Sequence, residues 1–459
     1  MREKRQVDLV EGPILKSLTG LALPIMASTF LGTIYSITDM AWIGLLGAKA
    51  VAGVGVAGMY VWLSQGLTSL ARMGGQVHVA QSIGKGEQEE ARIYARTAVQ
   101  LTIILGSLFA AVSLVFTDPM IQAFRLEDEM TFAAAKSYMQ ITCGLILFSF
   151  LNLTLTGLYT AQGDSKTPFL GNLLGLAANM ILDPVLILGL GPFPKLEVIG
   201  AAIATVTAQG IVTIVLVLRA VRAGEDNILC GISLLAVPSG RHLKEVCRIG
   251  GPTAVQGMVY CMISMVLTRM VSAFGAAAIA TQRVGGQIES LSWNTADGFA
   301  AALNAFVGQN YGAGKSERIR KGYQMSFWTV AVWGSLIMLA FVLVPEPIAQ
   351  IFFHEEDAIQ VAVDYLIIVG FSEAFMCVEL MTIGALSGLG KTRLCSIISV
   401  TITAARIPLA LGFGNTVLGL KGIWWALTLT SMAKGIIFYL VFRKCMAGSG
   451  TTRYQSGKK

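Results

Sequence analysis

Residues 101–116 read LTIILGSLFAAVSLVF, a run without a charged side chain. A helix needs about 20 mostly apolar residues to cross a bilayer, and similar runs recur at 141–159, 199–218, 326–344 and 423–442. These runs are continuous, whereas the strands of an outer-membrane barrel alternate apolar with polar residues. The pattern predicts an all-α integral membrane protein with about twelve transmembrane helices.

Composition and charge agree with a membrane location. Of the 459 residues 54% are hydrophobic and only 13% are charged, which is too few charges for a water-soluble protein of this size. The net charge of +7 suggests no nucleic-acid partner, because most Lys and Arg residues fall in alternate predicted loops and in the terminal segments. By the positive-inside rule we expect a multi-pass protein of the bacterial inner membrane with both termini cytoplasmic. We expect a retained first span rather than a signal peptide, since no small-residue cleavage site follows the first apolar stretch.

The chain contains an internal duplication. Several residues recur at an offset of 228 positions, among them Pro24 and Pro252, Gly47 and Gly275, Gly84 and Gly312, and Arg92 and Arg320. We therefore predict two pseudo-symmetric six-helix lobes at 1–222 and 241–459, the second with a short cytoplasmic tail, joined by a cytoplasmic linker at 223–240. Duplicated bundles of this kind are typical of transporters whose halves move against each other.

Two glycine-rich stretches have the letters of nucleotide-binding motifs without their context. GVGVAG at 53–58 lacks the preceding strand and the later acidic residue of a dinucleotide site, and small residues within a span favour close helix packing. The stretch 384–392 ends in Gly-Lys-Thr, but its first glycine is one position too far away for a phosphate loop. The three histidines and seven cysteines show no metal spacing. We expect neither a cofactor nor an enzyme.

A few polar residues within the spans are candidates for ion binding, since charges at bilayer depth commonly mark ion or substrate pathways. Asp39 lies near the end of the first span, after Pro24, and a proline inside a span kinks the helix. Asn179 and Asp183 stand four positions apart and share a helix face. Their oxygens suit a proton or a hard cation. Alternatively, Asp39 lies at the lipid headgroups and Asp183-Pro184 ends a helix near the surface.

Five stretches resemble the multidrug and toxic compound extrusion (MATE) antiporters in order and spacing. They are DMAWIG at 39–44, QSIGKG at 81–86, QGDSKTP at 162–168, the pair Asn179 and Asp183, and GAAIAT at 200–205. The resemblance covers about residues 14–442. It implies two lobes of six helices around a cavity that opens alternately to either side, and a monomer that exports organic cations or other amphipathic compounds in exchange for H+ or Na+.

The resemblance also implies roles for single residues. Asp39 matches the acid of the family's first helix, and Pro24 matches the proline at which that helix bends. Asn179 and Asp183 match the fifth-helix pair of the DNA-damage-inducible F branch, and Thr205 lies where that branch has a threonine near the ion. The coupling ion, H+ or Na+, is therefore expected at Asp39, Asn179 and Asp183.

The second half departs from the sodium-coupled branch of the family. Tyr260 stands where that branch has a glutamate on its seventh helix, and Met376 stands at its tenth-helix acid, with Glu373 and Glu379 nearby as possible contributors from the C-terminal lobe. We therefore expect the ion site in the N-terminal lobe.

The substrate is expected to be a small-molecule drug or metabolite, with lipophilic cations suited to a cavity that carries acidic, aromatic and methionine side chains. The principal alternative is a flippase or exporter of a lipid-linked or other metabolite within the same superfamily. A membrane enzyme is a third alternative.

Overall fold

The computed structural model describes residues 6–124, 126, 128–190, 194–224, 227–234, 236, 239–353 and 355–448, with the backbone alone at 276, 277 and 357. All regular secondary structure within these ranges is helical, as predicted. His354 and the predicted tail from residue 449 onward lie outside the described residues. The first half forms α1 (Ile14–Gly44), α2 (Ala48–Lys85), α3 (Gln88–Val115), α4 (Thr117–Gln122), α5 (Glu129–Gly144), α6 (Leu147–Ala161), α7 (Lys166–Leu188) and α8 (Glu197–Ala223).

The second half repeats this order, except that two helices, α15 and α16, stand in place of the single helix α7. Its helices are α9 (Gly240–Ser272), α10 (Ala276–Gly312), α11 (Ser316–Leu343), α12 (Pro345–Gln350), α13 (Glu356–Gly370), α14 (Glu373–Gly388), α15 (Thr392–Ala404), α16 (Arg406–Gly414) and α17 (Gly419–Gly448). The bounds of α11 and α12 are those of α3 and α4 shifted by 228 positions. The offset of 228 positions between matching residues therefore also relates whole helices.

The helices account for most of the expected membrane spans. Within the described residues, nine spans are long and apolar enough to cross a bilayer, with α15 and α16 counted as one (Thr392–Gly414), and two bent pairs raise the number to eleven. The pairs are α5 with α6, bent by 46°, and α13 with α14, bent by 49°. We assign the twelfth span to α10, because it is the repeat of the spanning helix α2 and is longer than a bilayer requires. Its polar residues distinguish it from the other spans.

The described chain divides into two compact units. The N-terminal unit contains Leu23–Ala254, and the C-terminal unit contains Val255–Lys459 together with Asp8–Ala22. Helices α1 and α9 each change unit close to a proline, Pro24 in α1 and Pro252 in α9. The lobe boundaries proposed from the sequence, with a linker at 223–240, stay a prediction.

Small residues permit close helix contacts in both units. A Cβ atom at Gly53 would lie 2.8 Å from the carbonyl oxygen of Thr131, so the GVGVAG stretch packs α2 against α5. In the C-terminal unit, a Cβ atom at Gly384 would lie 2.3 Å from the carbonyl oxygen of Ala300. The two glycine-rich stretches are thus helix-packing surfaces, as small residues often are in membrane proteins.

A charged side chain fixes the start of α5. Asp128 caps this helix by accepting a hydrogen bond from the backbone amide of Thr131 at 2.9 Å, and the ammonium of Lys49 lies 2.6 Å from its other oxygen. The bond from Lys49, followed by the amide of Thr131, lowers the pKa of Asp128 to about 2. The cap is therefore ionised at physiological pH, the state in which it accepts hydrogen bonds.

Adjacent glycines in α9 provide a test of the packing. A Cβ atom at Gly250 would lie 1.8 Å from the carbonyl oxygen of Leu70 on α2, whereas one at Gly251 would have no atom within 4 Å. We expect Gly250→Ala to destabilise the protein by about 1–3 kcal/mol, the usual cost of overpacking. Gly251→Ala should be neutral or stabilising, because alanine favours a helix. Thermal unfolding of the two purified variants measures the difference, and equal melting temperatures would contradict the assigned contact.

Candidate ion-coupling site

The first helix brings two polar side chains into the N-terminal unit. α1 is helical from Ile14 to Gly44 and contains Pro24. Asp39 is buried, with 7% of its surface exposed, and its Oδ1 atom has no hydrogen-bond partner among the described residues. Tyr35 stands one helical turn earlier and shares the face of Asp39.

The pair on α7 is fully buried. The side-chain amide of Asn179 donates a hydrogen bond to Oδ1 of Asp183 at 3.0 Å, and both residues are 0% exposed. α7 continues past Pro184 to Leu188, so Asp183-Pro184 does not end the helix near the surface. Oδ1 of Asn179 and Oδ2 of Asp183 have no partner among the described residues. Each residue thus keeps one oxygen available.

Two glycines bring α8 close to α7. A Cβ atom at Gly200 would lie 2.5 Å from the carbonyl oxygen of Leu186, and one at Gly175 would lie 2.5 Å from a methyl group of Val212. Any larger residue at either position would push the helices apart. The approach places Thr205, which follows Gly200 by five positions, in the same polar cluster.

Two tyrosines join this cluster. The hydroxyl of Tyr35 donates a hydrogen bond to Oγ1 of Thr205 at 2.9 Å, and Tyr138 on α5 also lies beside Thr205. Both tyrosines interact electrostatically with Asp39 and Asp183. The sequence reasoning did not identify either tyrosine. Tyr35 was recognisable from its spacing to Asp39, whereas no spacing relates Tyr138 to the other residues.

The cluster carries two acidic groups without a basic partner. Asp39 and Asp183 are close enough to interact electrostatically, and no ion pair with a described Lys, Arg or His is formed by either. Two negative charges so close together in a buried place are unfavourable. The three unpartnered oxygens, on Asp39, Asn179 and Asp183, suit either a proton or a hard cation such as Na+. Among the described residues no group of three His, Cys, Asp or Glu side chains suits a metal ion.

In the C-terminal unit, by contrast, one buried acidic residue forms an ion pair. Glu379 forms an ion pair with Lys434 at 2.8 Å, and both side chains are buried. Glu373 is 0% exposed, and neither of its carboxylate oxygens accepts a hydrogen bond from a described residue. Ser292 approaches Glu373 without reaching hydrogen-bonding geometry. Of the two predicted contributors from this lobe, Glu379 is already neutralised by Lys434 and Glu373 is not.

Other buried charges of this unit are also partnered. Glu289 accepts a hydrogen bond from the hydroxyl of Tyr365 and interacts with Arg406. The guanidinium of Arg406 donates hydrogen bonds to Oγ1 of Thr430 at 2.9 Å and to Oγ of Ser431 at 2.8 Å. The sequence suggested internal ion pairs in this half without identifying the partners.

Comparison with known proteins places the chain in a family. The model of the MatE family matches twice, at residues 24–185 and 252–411. A probable multidrug resistance protein NorM of Thermotoga maritima is 31% identical over 426 residues, which cover 90% of this chain and 88% of that protein. The FAD transporter of Shewanella oneidensis is 25% identical and covers 98% of this chain and 99% of its own length.

A solved structure confirms the fold. The crystal structure of a MATE protein in the bent conformation aligns with a TM-score of 0.90 at 22% identity, over 98% of this chain and 99% of that one. The two matches of the family model begin at Pro24 and at Pro252, the same offset at which the sequence and the helices repeat. The chain therefore belongs to the MatE family of membrane transporters.

Proposed function

We propose that this protein is a secondary active exporter, which exchanges H+ or Na+ for amphipathic organic compounds by alternating access. The observation that carries the proposal is the cluster of Asp39, Asn179, Asp183 and Thr205. It combines two buried carboxylates, unpartnered oxygens and no basic neighbour, so its charge depends on a bound proton or cation. Most buried polar groups in proteins have a hydrogen-bond partner, so three unpartnered oxygens in one cluster support this proposal.

The ion is coupled to movement through α1 in this proposal. Asp39 and Tyr35 lie on the part of α1 that follows Pro24, and a proline leaves a helix without one backbone hydrogen bond. Binding of a cation at Asp39 removes the repulsion from Asp183 and changes which position of α1 is favoured. The ion therefore shifts the equilibrium between two conformations by its different affinity for them.

In this proposal, the protein acts as a monomer in the bacterial inner membrane, with both termini cytoplasmic. Its substrates are drugs or metabolites, with lipophilic cations expected first. A second candidate function is the export of a metabolite, which the similarity to a relative named as an FAD transporter supports. Transport of both kinds of compound under the same ion gradient separates the two functions.

Loss of the carboxylate at Asp39 should abolish coupling. We expect Asp39→Asn to reduce gradient-driven transport of a fluorescent organic cation in proteoliposomes to the level of empty vesicles, because the neutral amide does not take up a proton and attracts a cation less strongly than a carboxylate does. Asp128→Asn is the matched control, since asparagine also caps a helix and Asp128 lies outside the cluster. Full transport by Asp39→Asn, with correct folding shown by size-exclusion chromatography, would contradict the assigned role.

The hydroxyl groups of Tyr35 and Thr205 should strengthen the binding of the ion. One hydrogen bond is worth about 0.5–1.5 kcal/mol, so Tyr35→Phe should raise the ion concentration at half-maximal transport by up to about tenfold. Thr205→Val should have a similar effect, whereas Thr205→Ser, which keeps the hydroxyl, should resemble the wild type. The concentration dependence of transport measures this, and an unchanged value in both Tyr35→Phe and Thr205→Val would remove them from the site.

The coupling ion can be identified with separate gradients. A proton gradient without Na+ and a Na+ gradient without a pH difference are imposed on the same proteoliposomes, and we expect one of them to drive export. The cluster offers few ligands and only two carboxylates, so we expect a single ion to be exchanged in each cycle. Transport that responds to neither gradient would overturn the proposed antiport.

A further inference from the structure

We infer that the exposed polar face of α10 binds substrates carrying an anionic group, a carboxylate or phosphate, and that Arg283 selects them. This inference rests on the proposed export function and specifies one class of its substrates. It is based on the two different faces of α10, on the free charge of Arg283 and on the contrasting surroundings of a second arginine.

One face of α10 is buried against neighbouring helices of the C-terminal unit. A Cβ atom at Gly285 would lie 2.1 Å from the ring of Tyr365 on α13. Further along, the Oγ atom of Ser292 lies 3.5 Å from the Sγ atom of Cys377 on α14. These contacts fix the orientation of α10, and several residues on its opposite side are exposed.

The opposite side carries exposed polar residues beside the exposed apolar residues Ile279 and Leu291. Arg283, Gln287 and Asp297 are all exposed, and with 3.6 residues per turn they fall on one side of the helix. Asn294, which is half-buried, lies between them on the same side. A lipid-facing side of a spanning helix is apolar, whereas ionisable and polar side chains within a span face protein or a water-filled path. These polar residues also explain why α10, unlike the other expected spans, is not apolar enough to be recognised as a membrane-crossing helix.

The charge of Arg283 is free to bind a ligand. No described residue forms an ion pair or hydrogen bond with its guanidinium, and it is exposed. Asp297 does have an interaction partner, and it lies roughly 21 Å from Arg283 along the helix axis at 1.5 Å per residue. A guanidinium binds carboxylate and phosphate groups through two parallel hydrogen bonds. Trp293, which is 43% exposed at the edge of this face, offers an aromatic surface for a ring.

The acidic residues of the ion-coupling cluster do not counterbalance this positive charge on the surface. Asp39 is 7% exposed and Asp183 is 0% exposed, so both are buried within the N-terminal unit. Near Arg283, which lies roughly 21 Å along the helix axis from Asp297, the charge on α10 is positive. It attracts an anionic group.

Arg269 on α9 provides a contrast. It is also exposed and forms no ion pair with a described residue, but its side of α9 carries Met262, Met265 and Val266, which are 58%, 47% and 43% exposed. An arginine at the end of an apolar face extends its charge toward lipid headgroups. Arg269 and Arg283 thus have the same chemistry in different surroundings, which makes Arg269→Gln a matched control.

The test compares an anionic with a cationic probe under the same ion gradient. Carboxyfluorescein carries carboxylates on an aromatic ring system, and ethidium is an aromatic cation. In proteoliposomes we expect Arg283→Gln to reduce carboxyfluorescein transport at least tenfold while ethidium transport stays within twofold of the wild type. Arg283→Lys should recover part of the anion transport because it keeps the charge. Arg269→Gln should transport both probes like the wild type.

The outcomes separate this inference from the proposed function. Ethidium transport by the wild type without carboxyfluorescein transport, or equal carboxyfluorescein transport by Arg283→Gln, would overturn the role of Arg283 and leave the exporter intact. Absence of gradient-driven transport of both probes would overturn the exporter itself. Transport in vesicles with and without phosphatidylglycerol shows whether Arg283 contacts anionic lipid headgroups instead of the substrate. A defect of Arg283→Gln that affects both probes and vanishes without the anionic lipid would assign Arg283 to lipid and overturn the inference.

Discussion

The electrostatic interaction between two buried carboxylates, which have no basic partner among the described residues, is the interaction on which the candidate site depends. Asp39 and Asp183 lie in a unit whose helices satisfy their backbone groups internally, as the interior of a bilayer requires. The cost of burying charge is normally offset by an ion pair or by hydrogen bonds. Three oxygens of this cluster have no hydrogen-bond partner among the described residues, which supports the proposed binding of a proton or a cation there.

The two duplicated halves differ in part of their buried charges. Helices α3 and α4 recur as α11 and α12 with the same bounds after a shift of 228 positions, so the backbone of both halves follows one plan. The C-terminal unit nevertheless pairs Glu379 with Lys434 and surrounds Arg406 with hydroxyl groups. Such pairs compensate the burial of charge internally, whereas Glu373 of the same unit keeps two carboxylate oxygens without a partner among the described residues. The halves have kept a common fold and have diverged in their buried charges.

The sequence predicted the fold well because its main signals are local or repeated. Apolar runs predicted the helices, and the offset from Pro24 to Pro252 predicted the duplication that the family match then confirmed. The sequence predicted less of the candidate ion-coupling site. The spacing of Asn179 and Asp183 showed that they share a face, but only the structure brings α1, α5, α7 and α8 together. Tyr138 and Lys434 are examples of what the sequence does not predict. The residues that they contact lie on other helices, far away in sequence, and no periodicity relates them.

The separation of charges also limits how exchange can be coupled. An exchanger needs negative coupling between its ion and its substrate, and the simplest form is competition for one acidic group. In this protein Asp39 and Asp183 are buried in the N-terminal unit, whereas the free exposed charge of Arg283 is positive and belongs to the C-terminal unit. An anionic substrate at Arg283 does not compete with a cation at Asp39 for the same group. In the proposed exchange, coupling passes through a conformational equilibrium that both ligands shift, and α1, which carries Asp39 beyond Pro24, is the element we expect to respond to the ion.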